Sequence, residues 1–391
     1  MAPRSGITRR DLLAGATRAA AAASLGGIAG CFPSVGGTWP DAGPDAATCG
    51  CTPPDSGISD DDQPPAPVLG SSLVATIQRD DSIDSRGKSL TQPYLDVVES
   101  MVNVVLTTLA GGAANPWSVI LPGAGSCTRI GLKVNCLNPY FATSPAIIRA
   151  IIKSLQANIG VCPSNIVVWD RRLDELTGAG KYTDDHLQGA RLLGTVKSTS
   201  DASGPGYSDP LYGTFEGSTP RLSRILLEQT DVTINLPVLK THSQSGVTAA
   251  LKNIYGIIDI PGNYHYAALQ TGLPALYAIP PIRKSIKLTI VDALRAVING
   301  DTDSQVDASP GTIFGALDPL ALDYYAVDLV NDLRAAHKIE PVDTKLLGWL
   351  ANAHAAGIGA KSYNLASLSP IGDVLDGGAL DEGAVLDTAV D

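Results

Sequence analysis

From residue 71 onward, short apolar runs of strand length alternate with longer stretches whose apolar residues recur at helical spacing. Few architectures accept that alternation. Strands separated by helices pair in parallel and need helices on both faces. The chain is therefore expected to be α/β, with a mostly parallel sheet in a single large domain over residues 71–391. Strands are expected at 73–77, 130–134, 165–169, 232–236, 286–291 and 311–317. Helices are expected over 93–109, 144–155, 222–227 and 319–333, and a helical extension over 336–391, with a helix at 341–357. Ser144 before Pro145, like Asp318 before Pro319, has the chemistry of a helix start. Residues 198–219, rich in Gly, Ser, Pro and Asp, read as a surface excursion.

The first thirty residues read as an address. Thr8-Arg9-Arg10-Asp11-Leu12-Leu13 has the pattern of a twin-arginine export signal, followed by a charge-free Ala/Gly stretch too short to span a bilayer. Ile28-Ala29-Gly30-Cys31 looks like a lipobox, in which Cys31 would be lipidated and become the first mature residue. The expected location is periplasmic or cell-surface, with membrane contact only through that lipid. Residues 32–70 hold eight Pro, six Gly and six Asp and no Lys or Arg, so residues 31–70 are expected to be a disordered tether.

Composition narrows the function. With 44% apolar residues in 391, a sizeable core is available. A net charge of −11 argues against nucleic acid as a partner, since phosphate backbones need clustered Lys and Arg. Six cysteines in so long a chain do not make a disulfide scaffold. Cys127 and Cys136 bracket a strand and could pair after export.

The position of the polar residues is more informative. Lys133 and Asn135 fall at the end of one expected strand, Asp170 at the end of another, Asn235 and then Lys240-Thr241-His242 after a third, and Asp292 after a fourth. Open parallel sheets bind ligands outside the carboxyl ends of their strands, where helix N-termini also favour anions. One segment is denser than the rest: Lys240, Thr241, His242, Gly246, Thr248, Lys252, Asn253 and Gly256 fall within seventeen residues, and His265 follows. Two lysines twelve residues apart can flank one anionic group while Thr and Asn side chains orient it. His242 and His265 could be acid/base groups or two ligands of a metal ion. The same block could also be a solvated loop leading into a helix at 248–254.

At these residues the sequence resembles a known family. Ile130-Gly-Leu-Lys133-Val-Asn135, Val167-Val-Trp-Asp170, the run from Asp231 to His242, Leu251-Lys252-Asn253-Ile-Tyr-Gly256 and Val291-Asp292-Ala293 are similar to the family called domain of unknown function 362. Ala316-Leu-Asp318 to Asp323 is similar to its last motif, and the resemblance runs over about residues 73–335. It implies an α/β fold but no particular reaction. Some members carry ferredoxin-like modules with Cys-x-x-Cys-x-x-Cys runs. Here Cys127, Cys136 and Cys162 lie too far apart for one, so no iron–sulfur cluster is expected.

Other chemistries lack their motifs. Gly178-Ala-Gly180-Lys181 misses the first Gly and the final Ser/Thr of a P-loop, and no G-x-G-x-x-G, G-x-S-x-G or H-E-x-x-H occurs. His186, His337 and His354 stand alone. Two function classes stay open. One is an enzyme or cofactor-binding protein in which His242, Lys240, Asp170 and Asp292 do chemistry, while Lys133, Asn135, Thr241, Thr248, Lys252, Asn253 and Gly256 bind an anionic small molecule. The other is a lipid-anchored solute-binding or scaffold protein that holds the anion without catalysis.

Overall fold

The structure, a computed structural model, describes residues 71–83 and 95–368. The expected export signal with Arg9 and Arg10, the expected lipidation site Cys31, the expected tether and the last 23 residues of the expected extension lie outside the described residues.

The alternation in sequence becomes alternation in space. In chain order the elements are β1 (Ser71–Gln78), α1 (Leu95–Leu109), β2 (Ile130–Lys133), α2 (Pro145–Ile159), β3 (Ile166–Arg172) and β4 (Arg191–Val196). There follow β5 (Val232–Asn235), β6 (Val238–His242), β7 (Gly246–Thr248) and α3 (Leu269–Tyr277). The described chain ends with β8 (Ile286–Val297), β9 (Thr312–Ala316), α4 (Pro319–Ala336), α5 (Gly348–Ala355) and β10 (Ser362–Leu368). The strands join one sheet in the order β10-β1-β9-β8-β5-β2-β3-β4, with β6 against the far half of β8 and β7 against β6. Only the pairings β1–β9, β8–β9 and β6–β7 are antiparallel. The sheet is thus mostly parallel, as the alternation requires.

Both faces are covered. The pleat sends Ile130, Leu132, Val168, Val232 and Ile234 to one face, against α1 and α2, and Val167, Trp169 and Val291 to the other, against α3, α4 and α5. Ser144 caps α2 by accepting from Ala146 N, and Asp318 caps α4 by accepting from Leu320 N and Ala321 N. Each burial against a helix contributes roughly 25 cal/mol per Å2 of apolar surface, so both faces of the sheet add to its stability.

Four expectations change. The extension after residue 336 is not wholly helical: after α5 the chain adds β10, parallel to β1, whose alternating half-exposed residues carry too weak an apolar pattern to read as a strand. Lys240-Thr241-His242 is not a loop but part of β6, which turns through Gly246 (φ +73°) into β7. Nor does the strand at 286 stop before Asp292. It runs on to Val297 because the Asp292 carboxylate accepts from Ser144 N (2.7 Å) and Leu294 N (3.1 Å) and so can be buried within the sheet. Finally, Cys136 does not pair with Cys127: it is a buried free thiol beside the Tyr182 hydroxyl (3.2 Å), whereas Cys127 and Cys162 are each disulfide-bonded. Among the described residues no helix is long and apolar enough to cross a membrane.

Candidate functional site

A cavity of about 120 Å3 opens at the carboxyl ends of β2 and β3, closed on its other side by β6, β7 and the segment 252–265. It is lined by Lys133, Asn135, Asp170, Lys240, His242, Thr248, Lys252, Asn253, Gly256 and His265 of the expected set. That volume holds several waters or a compact organic anion, well below the ~300 Å3 at which drug-sized pockets begin.

One wall is a closed ion pair. Lys133 Nζ donates to Asp170 Oδ1 (2.7 Å) and to Val134 O (2.8 Å). Asp170 Oδ1 also accepts from Arg171 N (2.7 Å), and Oδ2 accepts from Cys136 N (2.8 Å). The carboxylate ties the end of β2 to the end of β3, with two donors on Oδ1 and one on Oδ2. Gly256 presses on this pair. A Cβ there would lie 2.6 Å from Lys133 Nζ and 2.7 Å from Asp170 Oδ1, so only glycine lets the backbone approach.

A chain of three amides crosses the floor. Asn235 Nδ2 donates to Ala250 O (3.0 Å), Asn253 Nδ2 to Asn235 Oδ1 (2.8 Å), and Asn135 Nδ2 to Asn253 Oδ1 (2.9 Å). Asn135 Oδ1 is thereby left to accept from Lys240 Nζ (3.2 Å). Every orientation in the chain follows from the carbonyl at its start. Lys240, 2% exposed, has no carboxylate partner among the described residues, and burial brings its ammonium down to about 8.

The opposite wall carries Lys252 and the two histidines. Lys252 Nζ lies 3.2 Å from His265 Nε2 and 3.5 Å from the centre of the Tyr255 ring, again with no carboxylate partner among the described residues. Burial, and then the charge of Lys240, hold its ammonium well below the ordinary lysine value. His265 Nδ1 contacts Pro261 O at 2.9 Å; a carbonyl only accepts, so Nδ1 carries the proton and Nε2 is the acceptor. His242 is the reverse. Its Nδ1 accepts from Gln244 N (3.1 Å) and Ser245 N (3.4 Å), which leaves the proton on Nε2. Burial, and after it the nearby Lys252 charge, hold His242 well below the usual imidazole range. The two rings stack with centroids 5.6 Å apart.

Two expected members stand elsewhere. Asp292 does not line the cavity; it serves the Ser144 and Leu294 amides, and burial raises it to about 6. Thr241 points away, its hydroxyl donating to Gly300 O (3.0 Å), as expected for alternate residues of a strand whose neighbours Lys240 and His242 face the cavity. As for the metal reading of His242 and His265, no group of three or more His, Cys, Asp or Glu side chains among the described residues could hold a metal ion. Both nitrogens of His265 are already engaged.

Other residues join the site without having been expected. Arg171, Glu175, Tyr255 and Thr302 line the cavity. Glu175 is bound to Arg172 (3.0 Å), and burial, then the Asp170 charge, raise it to about 7. Asp323, buried in α4, accepts from Ala250 N (2.6 Å) and Leu251 N (2.9 Å) and so fixes the chain just before Lys252. Its only signal in the sequence was membership of the last motif. Thr248 lines the cavity, and its buried Oγ1 has no hydrogen-bond partner among the described residues.

Residues 130–328 match the family described as Domain of unknown function (DUF362). The chain belongs to that family. The matched span contains every residue that lines the cavity. Comparison with curated proteins gives no match. Among solved structures the chain is similar to the lactate racemase apoprotein from Thermoanaerobacterium thermosaccharolyticum, at 10% identity and a TM-score of 0.37, over 64% of this chain and 54% of that one. A protein from Thermotoga maritima is similar at 12% identity and a TM-score of 0.36, over 61% and 59%. The chain spans a little over half the length of each.

Proposed function

We propose that this DUF362 protein binds a compact anionic small molecule in the cavity, and that His242 and His265 handle protons on it. The observation that carries the reading is the pair of buried lysines, Lys240 and Lys252, which share one cavity and have no carboxylate partner among the described residues. A buried ammonium with no carboxylate in contact is costly, so both lysines hold their protons less tightly than usual, with Asp301 acting on them only from a distance; an anion entering between the two would supply the missing contact. The partnerless Thr248 hydroxyl offers that ligand one more hydrogen bond. The two imidazoles are set in opposite tautomers, so His242 can donate from Nε2 while His265 can accept at Nε2.

A charge-assisted hydrogen bond typically contributes ~1.5–3 kcal/mol. Lys240→Ala should therefore weaken binding of acetate or phosphate about tenfold or more, measured by calorimetry. His242→Gln should leave that affinity nearly intact. If neither anion binds the full-length protein, or Lys240→Ala leaves the affinity unchanged, the reading is wrong. We also propose export through the twin-arginine signal and lipidation at Cys31. Changing Arg9 and Arg10 to Lys should hold the precursor in the cytoplasm, and Cys31→Ala should free the exported protein from the membrane.

A further inference from the structure

We infer that the ligand is a 2-oxo acid and that Lys252 attacks its carbonyl carbon to form an imine. The inference rests on the anion-binding reading and gives it a substrate class. Lys133, which ties β2 to β3, has the Asp170 carboxylate beside it at 2.7 Å. Lys252 instead faces a base, His265 Nε2 at 3.2 Å, which the Pro261 carbonyl holds in the accepting tautomer. The face of Tyr255 covers the amine, and Lys252, buried as a residue, still lines the cavity. Lys240, fixed by Asn135, is the second cation. A ligand with a carboxylate for Lys240 and a carbonyl next to it for Lys252 is a 2-oxo acid, and a three-carbon one suits about 120 Å3.

Burial, and after it the Lys240 charge, hold the Lys252 ammonium well below the ordinary lysine value against the opposing pull of the Asp301 carboxylate, so its amine gives up a proton more readily than an exposed lysine does. In the step, that lone pair forms the C–N bond and the carbonyl π electrons move to oxygen. His265 takes a proton from the attacking nitrogen and returns it to the oxygen. The carbinolamine then loses water and becomes the imine, so amine plus carbonyl gives imine plus one water. Thr248 Oγ1, buried and without a partner, can donate to the ligand as its oxygen gains charge.

The test incubates the full-length protein with pyruvate and sodium cyanoborohydride, whose hydride reduces an imine to a stable secondary amine, and maps adducts by mass spectrometry. Carboxyethyl-lysine is expected at position 252. It should vanish in Lys252→Arg, which keeps the charge, and fall about tenfold in Lys240→Met. The trapping rate should rise with pH and level off well below the ordinary lysine value. Acetate, which has no reactive carbonyl, should compete. Adducts confined to exposed lysines, or none at all while acetate still binds, overturn the imine and leave the anion site standing. Failure of both pyruvate and acetate to bind overturns the two readings together.

Discussion

Two lysine environments line one cavity, and the difference that matters is whether a carboxylate touches the ammonium. Lys133 is buried with a carboxylate at 2.7 Å that also accepts from two backbone amides. Lys240 and Lys252 are buried almost as deeply, with an amide and an imidazole as their nearest polar partners. Burial alone is common to both walls, so it does not distinguish structure from function. The presence or absence of the counter-charge does. A compensated cation stabilises the fold; an uncompensated one stores a cost that a ligand can relieve.

The comparison can be broken from the Lys133 side first. Asp170→Ala leaves Lys133 buried without its partner and frees the Cys136 and Arg171 amides, and should cost about 3–5 kcal/mol in denaturant unfolding. A loss below ~1 kcal/mol would mean that the two walls are energetically alike.

On the other wall the sign reverses with pH. Lys240 titrates at about 8 in the folded chain and near the ordinary lysine value when unfolded. Below about pH 8 both states hold the proton, and the empty protein bears the full penalty of the buried charge. Above that, the unfolded state binds a proton that the native state has lost, so stability rises with pH. Lys240→Met should therefore be more stable than the parent by up to roughly 3 kcal/mol near pH 7, with the difference closing towards pH 10. A difference that does not change with pH would show that the ammonium is already compensated.

The smallest effect sharpens the contrast. Lys252→Met keeps the aliphatic stem and removes the amine. It should leave the empty protein at least as stable as the parent while weakening anion binding, so that the ligand-induced rise in midpoint shrinks. Thermal unfolding with and without acetate reads both quantities on one sample.

How much of this was legible beforehand varies by element. Strands β2, β3 and β5 are short apolar runs buried on both faces, and α2 and α4 begin at capping residues; local chemistry was enough to find them. Lys133, Asp170, Lys240, His242 and Lys252 were visible as polar residues bunched where strands end. By contrast β10, half-exposed at the sheet edge, reads as a strand only because β1 is there to pair with it. The true role of Asp292 depends on the Ser144 amide, 148 positions away in the chain.

What the sequence determined by itself was the parallel architecture and the grouping of charged residues at one end of the sheet, because periodicity and strand length are local properties. What only the tertiary structure decided was which of those charges are neutralised. Lys133 meets Asp170 across 37 positions, Asn135 meets Lys240 across 105, and Asp323 reaches back over more than seventy to hold the chain before Lys252. Desolvation and Coulomb interaction depend on distance in space, and no spacing along the chain reports it.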